Sequence, residues 1–406
     1  MEKVRIAMVG YGSRGRGLLP LLLDMDDVEI TGVCDKYEDR ANDAAAKVTE
    51  VSGKTPFCTT DYRRLLERDD VDAIITPSDW REHVDICINS MLAGKRVATE
   101  VGGAYSLEQL YELVRTSERT GIPCMMLENC CYGREEMTVT NMVRQGIFGT
   151  VVCCEGGYHH DLRGEITAGR LNRHYRQRNY LHRNGELYPT HSLGPIAKLL
   201  DINRGNRFLT LVSVASSAHG LDEYVNLRSP DGRLSGRHFT EGDVVTTIIK
   251  CARGETIVLT HDTTLPRPYS RAFTVHGTKA IYLEDRNRGM FVDGRSPHGN
   301  WDGTWETIND YYDEFEHPLW RDYRAEGVKK GHDGIDWLCL SAFVESVAED
   351  AEPPIDVYDT AAWMSVTCLS EQSAAMGGAP VPVPDFTNGK WLEREPERES
   401  KYMLSI

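Results

Sequence analysis

The chain has 406 residues, of which 40% are hydrophobic, and a formal net charge of −16. This length allows a large core and two domains. The acidic charge argues against nucleic acid and anionic membrane surfaces as main partners. No stretch approaches the roughly 20 apolar residues of a membrane span. The N-terminus leads directly into a predicted strand without a leader segment, which favours a cytoplasmic protein.

We predict that the eleven cysteines are reduced thiols whose side chains pack in the interior. They include no C-x-x-C pair, and the neighbours Cys130-Cys131 and Cys153-Cys154 have poor disulfide geometry. No cysteine spacing fits a zinc site, so we predict no metal centre. The adjacent His159 and His160 would point to opposite faces of a strand and would not chelate one ion together.

The first motif is a strand, a glycine turn and a helix. Val4–Val9 is a short apolar run, Gly10, Gly12 and Gly15 follow in G-x-G-x-x-G spacing, and Leu18–Leu23 is an apolar helical segment. In a dinucleotide site the first glycine makes the turn, the second admits the pyrophosphate, and the third lets the helix pack on the strand. The helix N-terminus then faces the phosphates, where we place Ser13 and Arg14.

The next predicted strand ends at Asp35, 20 residues after Gly15. A carboxylate at this position accepts hydrogen bonds from the adenosine ribose and repels a 2′-phosphate, so the motif favours NAD over NADP. Lys36 and Arg40 weaken that preference. The structural alternative is a glycine turn followed by an aspartate that caps a helix.

Strands and helices then alternate to about residue 130, which predicts a doubly wound parallel sheet, the Rossmann type. From Val151 the strands become longer and more alternating, which predicts a second domain with an open, mainly antiparallel sheet. We predict an NAD-binding domain over residues 1–130, an α/β substrate and oligomerisation domain over 131–390, and a charged tail over 391–406. Two late helices, Asp336–Ala348 and Thr360–Ala375, are expected to pack back on the Rossmann domain. An arginine-rich insertion, Arg163–Asn184, is either a solvated basic face or a selector for an acidic sugar.

Several short motifs resemble the Gfo/Idh/MocA oxidoreductase superfamily. They are the G-Y-G-S-R-G turn, Thr76-Pro77 with His83, Gly94-Lys95-Arg96-Val97 leading to Glu100, and Gly146-Ile147-Phe148-Gly149. The superfamily usually has a catalytic lysine after that glutamate, in Glu-Lys-Pro. This chain has Glu100-Val101-Gly102, and a valine cannot transfer a proton.

Longer blocks resemble glycoside hydrolase family 109, the NAD-dependent glycosidases known for α-N-acetylgalactosaminidase activity. Members carry Glu-Val at that position and share further blocks with this chain. These blocks are Trp80-x-x-His83, Leu127-Glu128-Asn129-Cys130-Cys131-Tyr132, Gly157-Tyr158 with His160-Asp161-Leu162-Arg163, Tyr188-Pro189-Thr190-His191, Pro266-Arg267-Pro268-Tyr269-Ser270-Arg271 and Gly331-His332-x-Gly334. The chain departs from the expected glycine at Ser192 and Asp333, and it lacks a leader peptide.

The resemblance implies a redox-neutral cleavage of a small glycoside. C3 of the sugar is oxidised, loss of the C2 proton expels the C1 aglycone, water adds at C1, and the sugar is reduced again. Such an enzyme does not need the pair of carboxyls used by ordinary glycosidases. The cofactor carries the difficult step, while the protein positions groups and moves protons.

The resemblance also implies roles for individual residues. His191 accepts the C3 hydroxyl proton, because imidazole changes protonation state near neutral pH. Tyr158 is the base at C2, and a phenol in that role needs a nearby cation, which an arginine between 163 and 183 can supply. The other predicted substrate contacts are Tyr188, Pro189, Thr190, Tyr269, Arg163 and His332. The predicted cofactor contacts are Gly10, Gly12, Ser13, Arg14, Gly15, Asp35, Trp80, His83, Glu100, Val101, Asn129 and Arg176.

Alternatives remain at this point. Tyr158, Tyr188 and Tyr269 are packing residues in the structural alternative, and His191 and His332 are helix-capping residues. The chain as a whole is either the glycosidase, a plain NAD-dependent sugar dehydrogenase, or a non-catalytic sugar or nucleotide sensor. Family analogy predicts a homodimer or homotetramer assembled through the open sheet.

Overall fold

The computed structural model of the protein describes residues 3–228, 232–297, 304–394 and 399–404. Within the predicted tail, residues 395–398, 405 and 406 lie outside the described residues. The chain divides into two compact units. One is built mainly from Met1–Asn129 and Tyr323–Ala361, and the other from Cys130–Asp322 and Ala362–Pro396. We predicted a single domain over residues 131–390. In the structure, residues 323–361 group with the N-terminal unit.

The first unit alternates short buried strands with helices. Its N-terminal elements are β1 (Val4–Val9), α1 (Ser13–Leu23), β2 (Val28–Cys34), α2 (Glu38–Ser52), β3 (Phe57–Thr59), α3 (Arg63–Leu66), β4 (Ala73–Thr76), α4 (Trp80–Leu92), β5 (Arg96–Thr99), α5 (Leu107–Thr120) and β6 (Cys124–Met126). Local signals set several boundaries. The Ser106 hydroxyl accepts the backbone N–H of Gln109 at the start of α5, and Gly121 ends that helix at φ +69°.

The six strands form one parallel sheet in the order β3-β2-β1-β4-β5-β6. This is the strand order of a dinucleotide-binding fold, in which the chain reverses direction across the sheet between β1 and β4. Ligands of such sheets bind outside the carboxyl ends of the strands at that point. The predicted Rossmann architecture is confirmed.

The remaining elements follow in chain order. They are α6 (Arg134–Arg144), β7 (Val151–His159), α7 (Arg163–Thr167), α8 (Arg176–His182), α9 (Thr190–Leu199), β8 (Phe208–Ala215), α10 (Gly220–Arg228), β9 (Val245–Cys251), β10 (Thr256–Asp262), β11 (Thr274–Gly277), β12 (Ala280–Leu283), β13 (Gly289–Val292), β14 (Glu306–Thr307), α11 (Tyr312–Phe315), α12 (Pro318–Glu326), α13 (Ile335–Ala348), α14 (Val357–Ala375) and β15 (Val381–Pro382). Helix α13 belongs to the first unit, where it packs against α1 and β1.

The second unit is organised by a nine-stranded sheet in the order β14-β13-β12-β11-β7-β10-β9-β8-β15. Strands β7 and β10 pair in parallel, and the other neighbouring pairs are antiparallel. The predicted fold class, a Rossmann domain followed by an open and mainly antiparallel sheet, is therefore confirmed.

Helix α9 packs against β7 through a small residue. The Ser192 hydroxyl donates to the Gly157 carbonyl at 2.7 Å, and a Cβ on Gly156 would lie 2.6 Å from the Ser192 Cβ. The glycine therefore lets the helix approach the strand closely, and this places His191 beside Tyr158 on the same unit. Ser192 stands where the family resemblance predicted glycine, and its hydroxyl links the helix to the strand.

One face of this sheet carries apolar, threonine and charged side chains that are exposed or half-buried, and Glu155 and Lys250 are among them. Val212, Ile248 and Val258 lie side by side across β8, β9 and β10, and Ile248 is 48% exposed. Val214 and Thr246 form part of the next row. Because side chains alternate along a strand, the neighbouring positions face the opposite way, and those are buried in the core.

All eleven cysteines are free thiols. Among the helices that the structure describes, none combines the length and the apolar character that crossing a bilayer requires.

Candidate functional site

The glycine turn after β1 has the geometry that its spacing predicts. Gly10 has a φ of +110°, and a Cβ there would lie 2.8 Å from the Pro77 carbonyl oxygen. A Cβ on Gly15 would lie 2.3 Å from the Gly10 carbonyl oxygen. By contrast, a Cβ on Gly12 would meet only the Arg40 guanidinium, at 3.6 Å. The first and third glycines are therefore required by packing within the unit, while the second leaves open space beside the backbone.

Helix α1 begins directly after this turn at Ser13. Gly12 is its N-cap residue, no side chain caps it, and its first turn contains no acidic residue. The positive end of the helix dipole is therefore not neutralised by a carboxylate on its own first turn. This arrangement suits the phosphates of a dinucleotide.

Asp35 lies directly after β2 and is almost fully buried. One carboxylate oxygen accepts the Tyr11 N–H at 2.7 Å, and the other accepts the Tyr37 N–H at 2.9 Å. The carboxylate thus holds the glycine turn against the end of β2. Each oxygen keeps a second lone pair, which can accept a ribose hydroxyl.

Arg14 has carboxylate partners within the unit. Its guanidinium forms a two-pronged pair with Asp336 at 2.8 and 2.9 Å, and it donates to Glu100 at 2.7 Å. Asp336 also accepts the Asn129 amide at 2.7 Å and contacts His332 Nδ1 at the same distance. We predicted Arg14 at the pyrophosphate, but its charge is shared by two carboxylates. Despite its burial, Asp336 has a pKa well below the ordinary aspartate range, because His332 and Arg14 stabilise its charged form.

His332 was predicted as a substrate contact and lies in the first unit at the start of α13. Its side chain is 65% exposed, and the Asp336 carboxylate raises the pKa of its imidazole. Gly331, His332, Asp333 and Gly334 all have positive φ angles. This left-handed turn, which costs free energy at the two residues that are not glycine, directs His332 toward Arg14 and Asp336.

Trp80, His83 and Val101 are buried in the first unit. A Cβ on Gly102 would lie 2.4 Å from the Trp80 ring, so the indole packs directly on that glycine. His83 Nε2 lies 3.1 Å from the Ser78 carbonyl, and burial lowers the pKa of its imidazole to about 4. These side chains hold the loops that follow β4 and β5. Their contact with a cofactor remains a prediction.

In the second unit, the predicted sugar-site residues form one cluster around Tyr158. The Tyr188 ring lies 4.5 Å from the Tyr158 ring, the His191 ring 5.8 Å and the Tyr269 ring 6.3 Å, measured between centroids. The Tyr188 hydroxyl and His191 Nε2 are 3.3 Å apart. Tyr158 and Tyr188 are buried, whereas Tyr269 is 49% exposed. The structure therefore brings together four residues that are separated by up to 111 positions in the sequence.

Arg176 belongs to this cluster and not to the unit that carries the glycine turn. Its guanidinium carbon lies 4.9 Å from the centre of the Tyr188 ring and 5.8 Å from that of Tyr158, and its Nε pairs with Glu165 at 2.9 Å. We predicted it as a cofactor contact. Its position fits the other prediction, that an arginine of the 163–183 insertion would accompany Tyr158. Burial raises the pKa of the Tyr158 phenol, and Arg176 opposes part of that rise.

Two other arginines of the insertion, Arg163 and Arg183, are paired with carboxylates. Arg163, predicted at the substrate, forms a two-pronged pair with Asp161 at 2.7 and 2.8 Å, and Arg183 pairs with Glu371 in the same way. The charges of Arg163 and Arg183 are therefore neutralised locally. Pro189 and Thr190 begin α9, and Thr190 is fully buried.

A second layer of buried polar groups lies behind Tyr158. His261 is opposite Tyr158 in the parallel register of β10 and β7, and its Nε2 lies 2.9 Å from the Tyr180 hydroxyl. Glu186 and Glu241 lie 3.5 and 3.8 Å from the two ring nitrogens of His261. Burial raises the pKa of Glu241 well above the ordinary glutamate range. This layer fixes residues 183–191, the segment that carries Tyr188 and His191.

Comparison with known proteins agrees with this two-part organisation. Residues 4–127 match the oxidoreductase family with an NAD-binding Rossmann fold, and residues 132–393 match the C-terminal domain of glycosyl hydrolase 109. The chain belongs to glycosyl hydrolase family 109.

Curated relatives of this family 109 chain cover nearly its whole length. A glycosyl hydrolase family 109 protein from Stenotrophomonas maltophilia is 41% identical over 97% of this chain and 91% of its own length. An α-N-acetylgalactosaminidase from Tannerella forsythia is 35% identical over 97% of this chain and 88% of its own. The predicted family membership is therefore confirmed.

Solved structures of the same fold belong to oxidoreductases. An NAD-binding oxidoreductase from Klebsiella pneumoniae superposes with a TM-score of 0.73 at 16% identity, covering 94% of this chain and 99% of its own. The myo-inositol 2-dehydrogenase from Lactobacillus plantarum gives 0.63 at 15% identity, covering 94% and 100%. At this identity the similarity establishes the fold alone.

Two residues of the site were missed by sequence reasoning. Asp336 comes from α13 and joins Arg14 across 322 positions of the chain, and no local signal marks such a pair. His160 was named within a family block but was given no role at the site, yet its Nδ1 lies 3.3 Å from the Tyr158 hydroxyl. The alternation of side chains along β7 contained a signal for His160, because residues 158 and 160 share a face.

Proposed function

We propose that this family 109 chain is an NAD-dependent glycoside hydrolase that oxidises its sugar transiently and ends with no net redox change. The observation that carries the proposal is the cluster of Tyr158, Tyr188, His191 and Arg176. Its members are phenol, imidazole and guanidinium groups, whereas ordinary glycosidases act through a pair of carboxyls. Such groups suit proton transfer at sugar hydroxyl and carbon atoms.

The first unit fits the dinucleotide. The open side of Gly12 and the uncapped start of α1 suit the pyrophosphate, and Asp35 suits the adenosine ribose. When bound, NAD supplies a reversible two-electron oxidation of the sugar at C3. Val101 stands where oxidoreductases of the superfamily have their catalytic lysine, so proton transfer falls to residues of the second unit.

Three residues divide that work. His191 takes the C3 hydroxyl proton while the Tyr188 hydroxyl, at 3.3 Å from its Nε2, holds the imidazole in place. Tyr158 takes the C2 proton, which the neighbouring C3 ketone makes acidic, and the C1 aglycone leaves. The half-exposed Tyr269 offers its ring and hydroxyl to the sugar. We propose a neutral amino sugar as substrate because one relative is named an α-N-acetylgalactosaminidase. The carboxylates that neutralise Arg163 and Arg183 of the insertion also favour an uncharged substrate.

The test is a balance of products during turnover on a panel of aryl glycosides that includes the N-acetyl-α-galactosaminide. We expect many equivalents of free sugar and aglycone per enzyme with no accumulation of NADH. A plain dehydrogenase would release one NADH for each sugar oxidised, and a sensor would bind the glycoside without turnover. Either of these outcomes contradicts the proposal.

We expect Asp35→Asn to weaken NAD binding by roughly 10- to 100-fold, because it removes the charge from an acceptor whose hydrogen bonds contribute about 1.5–3 kcal/mol. NADP binding falls less, since the same substitution removes repulsion of the 2′-phosphate. Titration calorimetry with both dinucleotides measures the two affinities. Asp43→Asn, which changes an exposed carboxylate of α2, is the matched control. An unchanged NAD to NADP ratio in Asp35→Asn would contradict the assignment.

The row of Val212, Ile248 and Val258 supports assembly as a homo-oligomer. These three side chains form a contiguous apolar patch that is partly exposed and that Glu155 borders beside Val258. A second copy presenting the same face would bury it in a self-complementary interface. We expect Ile248→Lys to shift the protein from dimer or tetramer to monomer in light scattering. Leu227→Lys, at an exposed leucine of α10, should leave the oligomer intact, and an oligomer that survives Ile248→Lys would refute this interface.

A cytoplasmic location is also part of the proposal. It is supported by the eleven free thiols, which are typical of a reducing compartment.

A further inference from the structure

We propose that His160 is a proton relay for Tyr158, receiving the phenolic proton at Nδ1 as the phenol oxygen takes the proton from sugar C2. This inference rests on the proposed function, because it requires Tyr158 to be the base at C2. His160 acts through Tyr158 and need not touch the sugar.

The geometry of the pair is fixed by the backbone. Tyr158 lies at the end of β7 and His160 directly follows the last residue of that strand, so the two side chains, two residues apart, come to the same side of the chain. The Tyr158 hydroxyl lies 3.3 Å from His160 Nδ1, and the two rings meet edge to face with centroids 5.7 Å apart. The backbone N–H of His160 donates to the Asp262 carbonyl at 3.0 Å, which holds the residue against the end of β10.

The chemistry needs such an acceptor. A neutral phenol cannot accept a second proton on its oxygen unless it gives up its own. Burial raises the pKa of Tyr158, so the phenol is protonated near neutral pH. Arg176 cannot be the acceptor, because a guanidinium is already fully protonated and has no free acceptor site.

His160 fits the acceptor role on two counts. Burial and the Arg176 charge lower the pKa of its imidazole, so it is neutral and its ring has a free lone pair near neutral pH. Its side chain is also half-buried, which leaves solvent access for the proton that it receives. The other charged groups around it are Glu165 and Asp161, and each is paired with an arginine.

The transfer balances in protons and electrons. The C2–H bond breaks, its proton goes to the Tyr158 oxygen, and the original phenolic proton goes to His160 Nδ1. The electron pair of the C2–H bond becomes the C1=C2 double bond, and the C1–O bond breaks with its pair leaving on the aglycone. Tyr158 ends neutral and His160 ends as an imidazolium. The protons of this pair exchange with solvent before water adds at C1, and the pair then delivers a solvent-derived proton to C2, with His160 returning its own proton to the Tyr158 oxygen.

The site then contains two phenol–imidazole pairs with the same separation, Tyr158 with His160 and Tyr188 with His191, each at 3.3 Å. One pair serves the C2 proton and the other serves the C3 hydroxyl proton. The relay therefore predicts that the two proton transfers can be disabled separately.

The experiment compares wild type with His160→Gln in D₂O, using the aryl glycoside that wild type cleaves fastest. Glutamine keeps a hydrogen-bonding group near the phenol but cannot hold the transferred proton. We expect deuterium incorporation at C2 and cleavage to fall by about 100-fold, while reduction of bound NAD in rapid mixing stays within about threefold. His238→Gln, at an exposed imidazole outside the cluster, is the control with unchanged rates.

The outcomes separate the relay from the proposed function. If wild type incorporates no deuterium at C2, the proposed function itself fails. If wild type incorporates it and His160→Gln does so at the same rate, or loses NAD reduction to the same extent as C2 exchange, only the relay is overturned. Should His160→Gln fail to fold, the wild-type rate in H₂O–D₂O mixtures decides the question. Because C2–H does not exchange with solvent before it breaks, the phenolic proton is the one solvent-derived proton in flight. A rate that falls linearly with deuterium content supports its transfer, and a rate independent of deuterium content overturns the relay.

Discussion

His191→Ala and Tyr158→Phe each reduce glycoside cleavage by about 100-fold or more, whereas NAD affinity stays within about twofold of wild type. Removing one positioned acid or base typically costs 10²- to 10⁴-fold in rate. The two residues lie in the second unit, and the residues suited to the dinucleotide lie in the first. Steady-state kinetics on the aryl glycoside and titration with NAD measure the two effects independently.

The two substitutions should differ in the step at which they stop the reaction. His191→Ala blocks proton removal from the C3 hydroxyl, so reduction of bound NAD in rapid mixing is lost together with cleavage. Tyr158→Phe blocks the C2 proton, so NAD reduction survives and C2 deuterium exchange is lost. His238→Ala and Tyr224→Phe change an exposed imidazole and a phenol outside the cluster and serve as controls. Near-normal cleavage in either cluster variant would refute its assigned role.

Asp336→Asn should lower the free energy of unfolding by about 3 kcal/mol and weaken NAD binding. Removing one partner of a buried ion pair leaves the other charge without compensation, which typically costs 3–5 kcal/mol. We take the lower end because Glu100 still pairs with Arg14 and the Arg14 side chain is 27% exposed. Arg14 lies in the first turn of α1, directly after the glycine turn, so loss of its partner also loosens the proposed pyrophosphate site. Urea unfolding of the full chain and NAD titration measure these effects.

Asp336→Asn should also change how the free energy of unfolding depends on pH. The pKa of Asp336 is lower in the folded chain than in the unfolded chain. Its contribution to stability is therefore fully present above the unfolded pKa of about 4 and is lost as pH falls toward the folded value. Asp336→Asn should flatten the loss of stability below about pH 4. Asp333→Asn changes an exposed carboxylate three residues away and should alter neither stability nor this profile. An equal effect from both variants would contradict the role of Asp336.

Local features of the sequence predicted the first unit well. The glycine spacing, the apolar strands and the cap at Ser106 are each set by residues close in sequence, and the strand order follows from repeated strand–helix crossovers. The ribose aspartate was predictable for the same reason, because Asp35 directly follows β2. The G-x-G-x-x-G spacing also predicted that the first and third glycines, Gly10 and Gly15, leave no room for a side chain.

The sequence was less informative where long-range packing decides the contact. We expected Arg14 to bind a phosphate because it follows the glycine turn. In the structure the Asp336 carboxylate, on α13, forms an ion pair with its guanidinium. We predicted Arg176 as a cofactor contact, and the fold of the insertion brings it beside Tyr158 and Tyr188. Its contact with the cofactor stays a prediction. His160 was assigned no catalytic role, because the adjacent His159 and His160 were weighed as a possible metal pair. Its contact with Tyr158 became apparent from the geometry of the structure.

The central claim is that cleavage depends on a bound dinucleotide that is neither consumed nor produced. The most direct measurement removes NAD from the purified enzyme, assays glycoside cleavage, and then adds NAD back in less than stoichiometric amount to substrate. The account predicts that cleavage stops on removal and returns fully, with each added NAD supporting many turnovers. Full-speed cleavage by the enzyme stripped of NAD would contradict it.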